Sequence, residues 1–225
     1  MASFDIAPGN SPARLKELSA MDGVIFDLDG TLWDASDSAT RAWNRALAEC
    51  GHPDRLVTVG ELRAFTGIKI ETILEEKFAF MGEKGIQDFL EVYKRIELDE
   101  MAKGGGVLYP DVERVVEALS RTKRLFIVSN CLAGYIENFF QRSKLGTYFS
   151  GYESTGRTGK PKHGNIQKVM QDYNVNTALY VGDTESDYRE SQKAGIPFVY
   201  ARYGFGDVEG AVYKIDRAAD LLFIE

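Results

Sequence analysis

Residues 23–32 read GVIFDLDGTL, and the change of character halfway along this stretch decides the architecture. Gly23 to Phe26 is uncharged, apolar and partly β-branched, the composition of a strand buried on both faces. At Asp27, Asp29 and Gly30, two carboxylates and a turn former arrive together. The strand therefore ends acidic at the edge where open α/β sheets place their ligand crevice. Working outward, similar apolar runs recur as RLFIVSN at 124–130, ALYVGD at 178–183 and IPFVY at 196–200, with a weaker one near 148–152. Helical patterns separate them: DVERVVEALS after Pro110, a stretch opening at Leu132, NIQKVMQDY after Gly164, and a segment opening at Glu185 that Gly195 closes. Strand and helix alternate, so the connection rules predict a parallel, doubly wound α/β sheet with both faces covered.

Residues 35–106 break this alternation. They carry only helical patterns, among them SATRAWNRALAEC, VGELRAF, ETILEEKFAF and IQDFLEVYKRIELDEMA. The expected organisation is a polar N-terminal extension at 1–20, a catalytic core formed by 21–34 and 107–225, and an inserted all-helical cap at 35–106. Within the extension, Ser11-Pro12 followed by ARLKEL reads as a short capped helix. The run Gly104-Gly105-Gly106 reads as a loose joint at the exit from the insert.

With 27 Lys+Arg against 34 Asp+Glu in 225 residues, the formal charge is -7, which argues against a binder of polymeric nucleic acid or a polybasic membrane adaptor. No apolar run approaches the roughly 18 residues of a membrane-spanning helix, and the N-terminus lacks the apolar stretch of a secretory signal. Cys50 and Cys131 are far apart in unlike contexts, which supports neither a disulfide framework nor a thiolate metal site. A cytoplasmic setting is expected, with no membrane association and no obligate protein partner.

The chemistry gathers at predicted strand and loop ends. Ser129-Asn130 offers a hydroxyl and a backbone N–H to an anion at a helix start, Lys160-Pro161 follows a flexible STGRTG stretch, and Gly182-Asp183 opens a helix that returns Asp187 toward Asp183. Each alone also fits a helix cap, a surface lysine or a strand-end turn; their order along one sheet edge does not. Asp27, Asp29, Asp183 and Asp187 against Lys160 leave about -3 before any anionic substrate enters. Clustered oxygen ligands beside a phosphate suit Mg²⁺.

DLDGTL at 27–32, Ser129, Lys160-Pro161 and GDTESD at 182–187 resemble, in this order, the four signature motifs of the haloacid dehalogenase superfamily. The resemblance runs from residue 23 to about 203 and points to the phosphoglycolate phosphatase-like branch, in which a Rossmann-like core carries a helical cap. It implies that Asp27 attacks phosphorus and becomes a transient aspartyl phosphate, with Asp29 as acid and then base. It further implies that Gly30, Ser129, Asn130 and Lys160 hold the phosphate and that Asp27, the Asp29 backbone carbonyl and Asp183 bind Mg²⁺. Thr31 and Asp187 are supporting residues, Asp187 by orienting Lys160 or a metal-bound water.

The expected partner is a small phosphorylated metabolite, with phosphoglycolate suggested by the branch and sugar phosphates or nucleoside monophosphates open. Asp29 disfavours dehalogenase and phosphonatase chemistry, because neither has an alkoxide leaving group to protonate. A sugar phosphomutase keeps both aspartates, but its cap places Arg and Lys just before a glycine where this chain reads RAFTG at 63–67. The missing lysine favours a hydrolase, with Lys69 as the stand-in that would restore the alternative. A catalytically weak, phosphate-binding or scaffolding member is the rival from another class. Thr66, Gly67 and Lys69 are the cap residues expected to face substrate, with Trp33 and Asp34 beside them; His52 and His163 read as surface residues, and YGFG at 203–206 as a loop at the site mouth or a simple turn.

Overall fold

The computed structural model describes residues 12–68 and 70–225, so Ser11 and Lys69 lie outside the described residues. Helix α1 (Pro12–Ser19) leads into β1 (Gly23–Phe26) and β2 (Trp33–Asp34), followed by α2 (Ser36–Glu49), α3 (Val59–Phe65), α4 (Ile70–Lys77) and α5 (Gly82–Lys103). Strand β3 (Val107–Leu108) returns the chain to alternation: α6 (Val112–Ser120), β4 (Arg124–Ser129), α7 (Tyr135–Ser143), β5 (Phe149–Ser154) and α8 (Thr155–Thr158). Then come α9 (Lys162–Asp172), β6 (Ala178–Gly182), α10 (Glu185–Ala194), β7 (Phe198–Ala201) and β8 (Tyr213–Ile215).

Six strands form one parallel sheet in the order β5-β4-β1-β6-β7-β8, a Rossmann-like doubly wound arrangement. Strand β1 lies between β4 and β6, with Val24 opposite both Leu125 and Leu179. Its side chains alternate between two cores, as the strand period requires. Val24 and Phe26 join α1, α6 and α7 on one face, while Ile25 meets Ile166 and Val169 of α9 on the other. Strand β8 has no counterpart in the sequence reading, since its YKI is too short and polar to register as a buried run.

Helices α2 to α5 contribute to a separate apolar cluster centred on Trp43, whose ring lies 5.0–5.7 Å from those of Phe65, Phe78, Phe89 and Tyr93. Thr58 starts α3 with a capping box to Glu61. The helical region joins the sheet through an antiparallel ribbon in which β2 pairs with β3, Trp33 opposite Leu108 and Asp34 opposite Val107.

The glycine run is packed rather than loose. A Cβ at Gly106 would lie 2.7 Å from the Trp33 ring, one at Gly104 would lie 2.6 Å from Ser38 Oγ, and Gly105 has φ +61. Ser38 donates to the Gly105 carbonyl at 2.6 Å and Arg142 to that of Gly104 at 3.2 Å. These glycines admit close approach of backbone to neighbouring groups.

Two helix starts also differ from the sequence reading. Helix α7 begins at Tyr135 rather than Leu132, because a turn at 132–134 ends in a left-handed Gly134. Helix α9 begins at Lys162, before Gly164, with Pro161 as its extended N-cap.

Trp43 is 3% exposed. Trp43→Ala should therefore lower stability by about 3–5 kcal/mol. Leu56→Ala, at a position 68% exposed, should stay within about 0.5 kcal/mol. Denaturant midpoints followed by circular dichroism would compare the two; equal midpoints would remove Trp43 from the centre of this cluster.

Candidate active site

The C-terminal ends of β1, β4 and β6 lie side by side, bringing Asp27, Asp29, Ser129 and Asp183 to one edge of the sheet. Asp27 continues the pairing one residue beyond β1, its N–H donating to the Val181 carbonyl at 2.8 Å. Backbone pairing thus fixes the base of a carboxylate that is only 5% exposed.

The cation facing Asp27 is Lys162, not Lys160. Lys160 is exposed in the loop before α9, where its N–H donates to Thr158 Oγ1 at 3.1 Å. Lys162 is the first residue of α9 and is buried beneath the strand ends. Its Nζ donates to Asp27 Oδ1 at 2.9 Å and also to Asp187 Oδ1. The physical reason is helix phase: with Pro161 at the cap, the residue after it enters the first turn and faces the sheet, while the one before it remains in the loop. Asp187 is committed elsewhere as well, its Oδ2 accepting from the Thr184 N–H at 3.0 Å and Oγ1 at 2.7 Å in the capping box that starts α10.

Burial pushes the Asp27 carboxyl up, Lys162 pulls it back and Asp187 opposes that, leaving it at about 6. Burial also works against the charge on Lys162, yet Asp187 and Asp27 outweigh it and hold the ammonium well above its ordinary range. Asp183 is fully buried and driven well above the usual carboxylate range by burial, then by repulsion from Asp187 and Asp27. Its Oδ2 accepts from the Phe205 N–H at 2.8 Å and its Oδ1 from Thr31 Oγ1 at 3.3 Å. Gly30 and Gly204 let the chain close around this carboxylate, since a Cβ at either would lie 2.1 or 2.3 Å from Asp183 atoms.

Asp29 faces a different environment. Its Oδ1 accepts from Trp33 Nε1 at 2.9 Å and Tyr135 Oη at 2.8 Å, so both donors serve one oxygen. Burial, then Asp27, raises its carboxyl to about 7, with a further contribution from Glu97 and opposition from Tyr135 and Trp33.

Carboxylate oxygens of Asp27, Asp183 and Asp187 lie within 4.8 Å of one another, a concentration of buried hard donors that fits a small divalent cation. Both Asp187 oxygens are engaged by Lys162 and Thr184, which leaves Asp27 and Asp183 as the side chains with capacity for a cation. The Asp29 carbonyl accepts no hydrogen bond among the described residues and suits a third position.

Ser129 is 5% exposed at the end of β4. Asn130 is exposed, its Oδ1 accepting from Thr155 Oγ1 at 3.0 Å. The 203–206 loop belongs to the site: Phe205 holds Asp183, and Tyr203 Oη donates to the Thr31 carbonyl at 2.9 Å. The helical region meets the core here too. A Cβ at Gly67 would lie 3.2 Å from Thr184, and Arg63 pairs with Asp34 at 2.5 Å while lying 5.5 Å from the Phe205 ring. Thr66 and Gly67 line a cleft of about 430 Å³ with Thr184, Ser186 and Arg189. His163 hydrogen-bonds Glu190 at 2.7 Å and His52 packs edge-on against Phe80, both apart from the carboxylates.

The sequence reading missed Lys162 and Tyr135. The KPK stretch at 160–162 offered two lysines, and only the packing of α9 beneath the strand ends decides between them. Tyr135 had no signal, since only tertiary packing of α7 brings its hydroxyl to Asp29.

Residues 24–201 match the family model described as haloacid dehalogenase-like hydrolase. The phosphoglycolate phosphatase of Aquifex aeolicus is 27% identical over 213 residues, covering 88% of this chain and 94% of the relative. A phosphoglycolate phosphatase of Cereibacter sphaeroides is 28% identical over 192 residues, covering 82% and 87%. A solved haloacid dehalogenase-like hydrolase from Streptococcus pneumoniae has a TM-score of 0.80 at 20% identity, covering 90% of this chain and 97% of that one.

Removing Lys162 leaves Asp27 and Asp187 buried without their counter-charge. With a chelator present, Lys162→Met should destabilise the protein by about 3–5 kcal/mol, whereas Lys160→Ala should have almost no effect. The loss should be larger at pH 8 than at pH 5, because protonating the stranded carboxylates relieves it. Denaturant titrations at the two pH values check this, and equal losses from the two lysine variants would contradict the assignment.

Proposed function

The chain belongs to the haloacid dehalogenase-like hydrolase family, and from that premise we propose that it is a Mg²⁺-dependent phosphatase acting on a small organic phosphomonoester through a phosphorylated Asp27. The observation that carries the reading is the unequal treatment of two carboxyls, two residues apart on the chain. Asp27 has one oxygen tied to a buried ammonium, while Asp29 has one oxygen held by two neutral donors. The first is kept a carboxylate with its second oxygen left for attack; the second is poised to lose and regain a proton near neutrality.

In the first step Asp27 Oδ2 forms a bond to phosphorus as the ester P–O bond breaks. Asp29, protonated on Oδ2, gives that proton to the departing alkoxide. In the second step the Asp29 carboxylate takes a proton from a water molecule as its oxygen bonds to phosphorus. The P–O bond to Asp27 then breaks, and phosphate leaves. Lys162 and Ser129 are placed to donate to the phosphoryl oxygens, with Asp187 positioning Lys162. Mg²⁺, held by Asp27, Asp183 and the Asp29 carbonyl, supplies positive charge against the phosphoryl oxygens when bound.

Phosphoglycolate is the first substrate to assay because curated relatives are named for its hydrolysis. RAFTG at 63–67 lacks the lysine that the phosphomutase pattern sets beside its arginine, and Arg63 is itself engaged by Asp34 and Ser36, which favours a hydrolase. Two free cysteines accord with a reducing cytoplasm.

Hydrolysis of p-nitrophenyl phosphate should require Mg²⁺ and vanish in chelator. Asp27→Asn should abolish turnover, whereas Asp29→Asn should retain phosphoryl transfer from p-nitrophenyl phosphate and lose it with alkyl phosphates, whose alkoxide needs a proton. Mass spectrometry after a denaturing quench should find the phosphate adduct on Asp27. An adduct on another residue, or full activity in chelator, would overturn the proposal.

A further inference from the structure

Two buried side chains converge on a single oxygen of Asp29. Trp33 Nε1 donates to Oδ1 at 2.9 Å and Tyr135 Oη donates to the same atom at 2.8 Å, from residues 1% and 3% exposed. Each donor is fixed from behind. The 28–33 loop is closed by backbone bonds, the Gly30 N–H donating to the Trp33 carbonyl at 2.9 Å and the Trp33 N–H to the Leu28 carbonyl at 3.2 Å. Tyr135 opens α7 with its ring edge-on to the indole at 6.0 Å. The direction of both bonds to Oδ1 is set. An indole N–H can only donate, and the single proton of the Tyr135 hydroxyl has Oδ1 as its one acceptor among the described residues. A proton placed on Oδ1 would strand that buried hydroxyl hydrogen, at the cost of an unmade hydrogen bond. Oδ2, by contrast, has no partner among the described residues and keeps access to solvent.

We propose that Tyr135 is a positioning residue: together with Trp33 it keeps the Asp29 proton on Oδ2, the oxygen that meets the leaving group, and so fits the site to unactivated alkyl phosphomonoesters. The inference rests on the phosphatase reading and adds to it the device that lets Asp29 serve as an acid. As the ester P–O bond breaks and Asp27 Oδ2 bonds to phosphorus, the Asp29 Oδ2–H bond breaks and an O–H bond forms on the departing alkoxide. Asp29 is left a carboxylate, and both hydrogen bonds to Oδ1 become charge-assisted as it forms. They are therefore stronger in the transition state than before it, the condition under which a contact accelerates a step. Without the Tyr135 hydroxyl the proton gains a second resting place on Oδ1, turned away from the substrate. An alkoxide suffers from that loss, whereas a nitrophenolate leaves without a proton.

Tyr135→Phe and Trp33→Phe each remove one donor and keep an aromatic ring. With Mg²⁺ present, kcat/KM for p-nitrophenyl, phenyl and ethyl phosphate reads the phosphoryl-transfer step with leaving groups of rising basicity. The unmodified protein should hydrolyse all three. Tyr135→Phe should lower kcat/KM for ethyl phosphate at least tenfold more than for p-nitrophenyl phosphate, with phenyl phosphate between, and Trp33→Phe should show the same graded loss. A residue that only supports the fold would lower the three together. Equal losses across the series in either variant, or an unmodified protein that hydrolyses the aryl esters but not ethyl phosphate, would overturn the proposal. Trp33→Phe decides the matter even if Tyr135→Phe fails to fold. Failure of the phosphatase reading has a separate signature, the absence of Mg²⁺-dependent p-nitrophenyl phosphate hydrolysis by the unmodified protein.

Discussion

The ammonium of Lys162 is the constraint on which the rest of the site depends. It stands between Asp27 at the end of β1 and Asp187 at the start of α10, and all three side chains are buried. Without it the adjoining ends of β1 and β6 would bring together acids that low-dielectric surroundings would force to take up protons. With it, Asp27 stays available as an anion and Asp187 can cap its helix. One cation thereby couples local helix initiation to the chemistry of the neighbouring strand.

Asp183 is held by a different principle. Its nearest donors are the Phe205 N–H and the Thr31 hydroxyl, neither of them charged. Neutral donors orient a carboxylate without cancelling it, so the pocket keeps a deficit of positive charge. The approach of Gly30 and Gly204 is the steric side of the same arrangement, because any side chain at either position would occupy the space of the carboxylate. The acidic surplus thus has a structural origin in how the 203–206 loop closes, and the proposed Mg²⁺ is what would complete it.

Much of this was legible in the sequence, and what escaped did so for identifiable reasons. GVIF, RLFIVS and ALYVG read as buried strands because such strands have no polar face, and the acidic residues after Phe26 and Gly182 mark where those strands stop. The lysine was misplaced by two positions because composition cannot tell the loop side of a capping proline from its helix side. The glycines at 104–106 read as slack because the same residue serves freedom and close packing, and only the presence of Trp33, Ser38 and Arg142 around them decides which. Tyr135 belongs to a helix whose amphipathic pattern says which face is inward but not what lies opposite. Pairings across more than a hundred residues, such as Tyr135 with Asp29, have no local signature at all.

The ribbon of β2 and β3 has a mechanical consequence. Two unpaired strands would let the helical region swing, twist and slide against the sheet independently. Hydrogen bonding between Trp33–Asp34 and Val107–Leu108 ties the two connections into one strip, which resists shear and torsion but flexes across its thin dimension. The indole of Trp33 is part of that strip, 1% exposed, edge-on to Phe139 at 5.0 Å, and its N–H is one of the two donors to Asp29. Bending at the ribbon would therefore carry with it the indole that donates to Asp29, so the placement of the helices and the hydrogen bonding of Asp29 are tied through one side chain.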